Sequence, residues 1–197
     1  MKIEIKNLTK TYLKEPVIKD LSLSFSPTGL YIIKGDSGVG KTTLLRIISG
    51  IDKNYDGFVT RLNPGEVSFA FQEYRLFDSL SALENVSVGA RDTASFFKAK
   101  RILSRLNFTD KEMYLSCDEL SGGMKQRVSL ARAFFHKGRV LLLDEPTKEL
   151  DPDNVKNVLD LIKEEAKGRL VIMVTHKSED IKALSSIATI IELKKTN

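Results

Sequence analysis

The sequence predicts an α/β domain: a mostly parallel sheet with helices on both faces and a helical lobe inserted into it. Three observations carry that expectation. Strand-type and helix-type segments alternate toward both ends of the chain. The runs at residues 140–143 and 170–174 are continuously apolar, as strands buried on both faces are. The middle of the chain spaces its apolar residues as helices do.

In chain order, residues 2–8, 21–25 and 30–34 read as strands, with Pro27, Thr28 and Gly29 as a turn. Residues 42–49 read as a helix closed by Gly50, and residues 67–71 suit a buried strand. Ser81 and Glu84 make a capping-box pattern ahead of a short helix. Residues 95–106 and 111–116 have helical spacing, and Ser121 caps a helix running to about His136. Asp151 and Pro152 start a further helix, with Val155, Leu159 and Ile162 on one face. A last strand is expected over residues 186–193.

The 197 residues are expected to form one domain, 1–197. An apolar fraction of 42% with 29% charged residues excludes disordered and fibrous classes. One cysteine, Cys117, excludes an intrachain disulfide and the zinc-cluster spacings, and fits a reducing compartment. The net charge of +5 permits nucleic acid, anionic membrane or nucleotide partners and selects none of them. No apolar run approaches the ~20 residues needed to cross a bilayer, and the opening alternates like a strand instead of carrying a signal-peptide core. The chain is expected to be neither secreted nor membrane-spanning.

Two motifs carry phosphate chemistry. Gly35, Asp36, Ser37, Gly38, Val39, Gly40, Lys41 and Thr42 fit G-x-x-x-x-G-K-[ST] between a strand and a helix. Glycines let successive backbone N–H groups converge on phosphate oxygens, and the helix N-terminus adds its dipole. Lys41 then reaches the terminal phosphates and the Thr42 hydroxyl holds Mg2+. Further on, the apolar run 140–143 ends in Asp144 and Glu145. Asp144 is expected to support Mg2+, directly or through water, and Glu145 to polarise the attacking water as general base. Together these describe a nucleotide-hydrolysing P-loop protein without saying which kind.

A third motif is rarer: Leu120, Ser121, Gly122, Gly123, Met124, Lys125, Gln126 and Arg127. Here the chain resembles the ATP-binding cassette (ABC) family, whose signature is close to L-S-G-G-Q. Ser121 caps a helix whose N–H groups, unobstructed at Gly122 and Gly123, form a second anion clamp. The resemblance runs from Tyr12 to His176 with seven motifs in family order. It implies a RecA-like, mostly parallel sheet core, an N-terminal antiparallel β region and a helical lobe over about 73–137. It implies that the clamp at Ser121 faces the γ-phosphate on a partner subunit. It implies that Gln72 touches Mg2+ and the water, that His176 contacts the γ-phosphate, that Tyr12 stacks on adenine and that Thr43 joins Thr42 at the phosphates. Leu150 and Asp151 fit the loop that crosses the dimer interface.

The resemblance further implies an ATP- and Mg2+-dependent ATPase, cytoplasmic and peripheral on the inner face of the membrane. It would pair with itself or a second cassette and serve a separately encoded permease. The permease is expected to dock near Phe71, Tyr74, Leu76, Phe77, Leu80 and Leu83, a few of which should stay exposed as an apolar patch. The segment after Gln72 is importer-like and leans toward small anions such as sulfonates or nitrate. With 21 residues after His176, a minimal cassette without a regulatory domain is expected. Met124 stands where glutamine is usual, Lys148 and Glu149 where small residues are common, and Asp78 where many relatives carry proline. These departures bear on dimer affinity and coupling more than on phosphate ligands.

Two other functions compete. A soluble cassette acting on nucleic acid or ribosomes lacks support, since no heptad run, basic arm or second cassette is visible and no direct nucleic-acid partner is expected. A GTPase or small-molecule kinase is disfavoured by the motif at Ser121, and in residues 147–151 the acid stands one position too far for a guanine-reading Thr-Lys-x-Asp.

Overall fold

The two continuous apolar runs lie side by side inside a five-stranded parallel sheet. The structure, a computed structural model, describes every residue except Met1, Lys14, Pro64, Arg91, Thr196 and Asn197. The elements are β1 (Ile3–Tyr12), β2 (Glu15–Phe25), β3 (Gly29–Lys34), α1 (Lys41–Ile48), β4 (Asp56–Val59), β5 (Val67–Ala70), α2 (Ala82–Val86), α3 (Thr93–Arg105), α4 (Gly122–Phe135), β6 (Val140–Asp144), α5 (Pro152–Gly168), β7 (Leu170–Val174), α6 (Ser178–Leu184) and β8 (Ala188–Glu192). The parallel sheet runs β5-β6-β7-β3-β8, and a three-stranded antiparallel sheet runs β2-β1-β4.

Every residue of β6 and β7 is buried. Alternate side chains serve opposite faces. Leu141, Leu143, Val171 and Met173 join a core shared with α5 and the helical segments between β5 and β6. Val140, Leu142, Ile172 and Val174 join a core shared with α1 and the antiparallel sheet. Both faces are therefore covered, which removes any place for alternation with polar residues. Each such side chain contributes about 1.5–3 kcal/mol when fully buried.

The sequence expectations need four corrections. Residues 111–116 do not form an α-helix. Two 3-10 turns, Glu112–Tyr114 and Cys117–Glu119, stand there instead. Glu112 Oε2 accepts from the Thr109 amide and hydroxyl, and Leu115 is extended, its carbonyl accepting from the Ala82 amide. The first contact starts a helical turn, as a capping box does, and the extended Leu115 ends it before a second turn forms. Strands β1 and β2 are longer than expected because they pair as one hairpin, and β4 was not foreseen at all. At Gly57 in β4 (φ 97°) a Cβ would stand 2.4 Å from the Asn7 carbonyl oxygen, so this approach to β1 needs glycine. Helix α6 was also not foreseen.

The stretch after β5 is pinned by one buried side chain. Asn85, in α2, accepts from the Phe77 amide at 2.9 Å and donates to the carbonyls of Phe77 (2.9 Å), Leu80 (3.1 Å) and Ser81 (3.2 Å). Ser81 itself caps α2, with Glu84 closing the capping box. Replacing Asn85 by Ala leaves buried polar backbone without partners, a cost of about 1–3 kcal/mol. Asn85→Ala should lower the urea midpoint accordingly and speed amide exchange over residues 77–81 ahead of the parallel sheet; unchanged exchange there would contradict this anchoring.

Candidate functional site

Strands β3, β6 and β7 deliver their C-terminal ends to one edge of the sheet, where open α/β sheets bind ligands. A cleft of about 660 Å³ lies there, lined by Tyr12, Gly35, Asp36, Ser37, Gly38, Gly40, Lys41, Thr42, Thr43, Gln72, Asp144, Glu145 and His176. Most of the residues expected at a phosphate site meet in this one place. A second cleft of about 650 Å³ opens at the opposite end of the strands, lined by Lys137, Arg139, Arg169 and neighbours. Its basic side chains are already paired, Lys137 and Arg169 with Glu165 and Arg139 with Glu66.

The loop between β3 and α1 is held in a shape that side chains would block. A Cβ on Gly35 (φ 152°) would stand 2.4 Å from the Leu193 carbonyl oxygen, and one on Gly40 (φ 96°) 2.9 Å from Ile18. Gly40 caps α1 without any side-chain hydrogen bond, so the positive end of the helix faces the loop. Val39 turns its side chain into the core, which leaves only its backbone to the cleft. Lys41 Nζ donates to the carbonyls of Gly35 (2.7 Å) and Asp36 (2.8 Å), which aims its ammonium along the loop.

Opposite stand two acids. Asp144 is 2% exposed and Glu145 9%. Asp144 Oδ1 and Glu145 Oε2 are buried without a hydrogen-bond partner among the described residues. Burial pushes the Asp144 carboxyl up, against the nearby Thr42 hydroxyl, which pulls it down. A hard divalent cation takes oxygen donors of this kind and supplies the missing compensation, so the residues present fit Mg2+. Glu145 has φ 50°, unusual for a non-glycine residue, and is fixed there by its amide, which donates to the Val174 carbonyl of β7 at 2.9 Å. Its Oε1 accepts from His176 Nδ1 at 2.8 Å, which turns His176 Nε2 away from the carboxylate.

The loop after Glu145 is tied to the segment carrying His176. The Thr147 hydroxyl donates to Asp180 Oδ2 of α6, and Lys177 Nζ donates to the Thr147 carbonyl at 2.6 Å. Helix α4 reaches the same loop, since buried Gln126 donates to the Pro146 carbonyl at 3.2 Å. Ser121 caps α4 by accepting from the Met124 amide at 3.3 Å. Ser121, Gly122 and Gly123 do not line the cleft. The Met124 side chain packs, partly buried, on the core beneath the helical segments, an apolar use of the position.

Tyr12 is 44% exposed at the mouth of the cleft. Its hydroxyl donates to Asp52 Oδ2 at 2.9 Å, and Lys10 Nζ lies 4.6 Å from the ring centroid. Among the six apolar residues after β5, Leu83 is fully buried and leaves the expected patch. Phe77 is 54% exposed, and Phe71, Tyr74, Leu76 and Leu80 are half-buried. Sequence reading missed Val17, Lys148 and Val174, which also line the cleft. Val17 had a usable signal only through the hairpin register, which sets Thr11 opposite Pro16 and so brings β2 beside Tyr12.

Comparison with known proteins comes to the same place. Residues 18–148 match the family described as ABC transporter. The methionine import ATP-binding protein MetN of Campylobacter jejuni is 34% identical, over 96% of this chain and 68% of its own. The macrolide export ATP-binding/permease protein MacB of Aggregatibacter actinomycetemcomitans is 36% identical, over 98% of this chain and 33% of its own, so the chain spans one third of that relative. A dimeric post-hydrolysis structure of the ATP-binding cassette MJ0796 bound to ADP and Pi superposes with a TM-score of 0.86 at 29% identity, over 99% of this chain and 97% of that one.

Asp180 gives a test of the loop network by pH. It is 1% exposed, and burial pushes its carboxyl up from the ordinary range. A raised folded value means that the fold favours the neutral acid, so stability is lost as pH rises through that value and the ionised form is a burden at neutral pH. Asp180→Asn should therefore gain stability relative to wild type at pH 7, with the difference in urea midpoint closing on acidification. A constant difference across pH would contradict it.

Proposed function

The chain belongs to the ABC transporter family, and on that premise we propose that it is the ATP-binding and ATP-hydrolysing subunit of a membrane transporter, closing as a pair on ATP and reopening after hydrolysis. The observation that carries this is one cleft holding the glycine loop with Lys41, the buried acids Asp144 and Glu145, and His176 bonded to Glu145. Relatives named as import and export proteins support transport in either direction over a nucleic-acid role. They do not favour small anions.

In this reading the backbone amides of residues 35–43 bind the phosphates. Lys41 Nζ leaves the carbonyls of Gly35 and Asp36 for the terminal phosphates, a charge-assisted contact. Thr42, Asp144 and Gln72 hold Mg2+, which when bound neutralises charge on the phosphate oxygens. Glu145 takes the proton of the attacking water on its carboxylate. His176 holds Oε1 of the same carboxylate and directs Nε2 toward the γ-phosphate. The left-handed backbone at Glu145 aims that carboxylate into the cleft instead of along the strand. Tyr12 receives the adenine.

Ser121, Gly122 and Gly123 lie outside this cleft, which fits their service to a nucleotide on a second copy. That leaves each site complete only in the pair, so ATP stabilises the closed state by differential binding. Residues 1–197 act as one cassette domain, with the lobe at about 73–137. Among the described residues no helix is long and apolar enough to cross a membrane. A separate permease is the natural partner, docking on the exposed Phe77 and its half-buried neighbours, with the subunit on the cytoplasmic face.

Glu145→Gln should keep ATP binding, lower turnover about 100-fold or more and accumulate an ATP-held pair in size-exclusion chromatography. Unchanged turnover would remove Glu145 as the base. Lys41→Ala should weaken ATP binding by about 1.5–3 kcal/mol, the worth of a charged hydrogen bond, in a calorimetric titration; normal affinity would undo the phosphate-loop assignment.

A further inference from the structure

Tyr74, two residues past Gln72, is held at both ends by contacts that the phosphate chemistry does not use. Arg132 of α4 donates through Nη2 to the carbonyls of Tyr74 (3.2 Å) and Arg75 (2.8 Å). The Tyr74 hydroxyl donates to Glu149 Oε2 at 2.6 Å, across 75 residues of sequence. Glu149 stands in the loop after Glu145 with φ 62°, a backbone state that L side chains rarely adopt.

That loop lies against the first turn of α4. Glu149 Oε2 and the Tyr74 hydroxyl are each 3.3 Å from where a Cβ on Gly122 would stand, and the Glu149 carbonyl oxygen is 3.1 Å from where one on Gly123 would stand. Glycine at 122 and 123 thus has a reason inside a single chain: it admits the loop. The carboxylate rests at the positive end of a 14-residue helix, where a negative charge is favoured. Lys148 neutralises it little, with Nζ 4.0 Å from Oε1 and both groups about half exposed.

We propose that Tyr74 and Glu149 form an intrachain latch, which holds a carboxylate on the Ser121–Gly123 turn where the γ-phosphate bound to a second copy must sit. The proposal rests on the two-chain site described under the proposed function. Carboxylate and phosphate carry the same sign and draw on the same turn, so both cannot occupy it. Pairing on ATP therefore requires Glu149 to leave. Because Tyr74 belongs to the segment that follows Gln72, a shift of that segment releases Glu149. Tyr74 is a positioning residue in this scheme, acting through Glu149 and touching no nucleotide.

The test uses the full chain carrying Glu145→Gln, with Mg-ATP as the titrant and sedimentation velocity as the readout of pairing. Adding Glu149→Gln, which keeps shape and removes charge, should lower the ATP concentration at the pairing midpoint about 10-fold, the scale of relieving one close like-charge contact between largely solvated groups. Tyr74→Phe should lower it by less. The double variant should go no further than Glu149→Gln alone, since the two residues act as one unit. The gain from Glu149→Gln should shrink as salt rises, which loss of a merely structural contact would not reproduce. A midpoint unchanged or raised by Glu149→Gln, in a parent that does pair, overturns the latch and leaves the two-chain site standing. A parent that fails to pair at saturating Mg-ATP, alone and with Glu149→Gln, overturns both.

Discussion

The site depends on the register of three parallel strands. Ile33 of β3 and Asp144 of β6 both pair with Val174 of β7, so the three strands end level at one edge of the sheet. The ladder then continues one step further, through the bond from the Glu145 amide to the Val174 carbonyl. A slip of one residue in β6 would exchange the faces of Leu141 and Leu142 and carry Asp144 and Glu145 out of the cleft. Close packing of both cores resists that slip, as does the cost of drawing the Asp144 carboxylate into them. The apolar runs that hold the protein together are thereby what sets the acids opposite the glycine loop.

Part of the buried polar interior forms joints around this frame. Asn85 fixes the segment after β5, Gln126 ties α4 to Pro146, and the Thr147–Asp180 pair ties the loop after Glu145 to α6. Two of these joints, at Gln126 and Thr147, tie the loop that follows β6 to helices α4 and α6. Buried hydrogen bonds suit that task because they are directional and costly to leave half-made. Asp144 and Glu145 each keep one buried carboxylate oxygen without a hydrogen-bond partner among the described residues, and on Asp144 that is what an ion-binding carboxylate requires.

The parallel core was legible in the sequence because its signal is local: two unbroken apolar runs, a glycine loop between strand and helix, and caps at Ser81, Ser121 and Asp151, all of which the structure holds. Strand β4 was not legible, because Asp56–Val59 has no alternation and owes its state to pairing with β1. Residues 111–116 were misread as helix because apolar spacing does not report that Leu115 is drawn into an extended backbone, its carbonyl accepting from the distant Ala82 amide. Within the site, the motif residues could be found one by one. The contact of Glu149 with Tyr74 and Gly122 could not, since it joins three distant segments and arises only when the loop takes left-handed backbone at Glu149. The departure from small residues at 148 and 149 marked the place without revealing the contact.

The central claim is that each catalytic site draws its glycine loop from one copy and its Ser121–Gly123 turn from another. Mixing two inactive chains measures this most directly. A Lys41→Ala chain lacks a working loop in both sites of its own pair, and a Gly123→Asp chain lacks a working turn in both. In a mixed pair one site inherits both defects and the other neither. The account predicts that ATPase activity, near background for each variant alone, returns on mixing to as much as a quarter of the wild-type level per chain. Activity that stays at background in a mixture shown, by pull-down through an affinity tag on one of the two chains, to contain mixed pairs would contradict a site shared between copies.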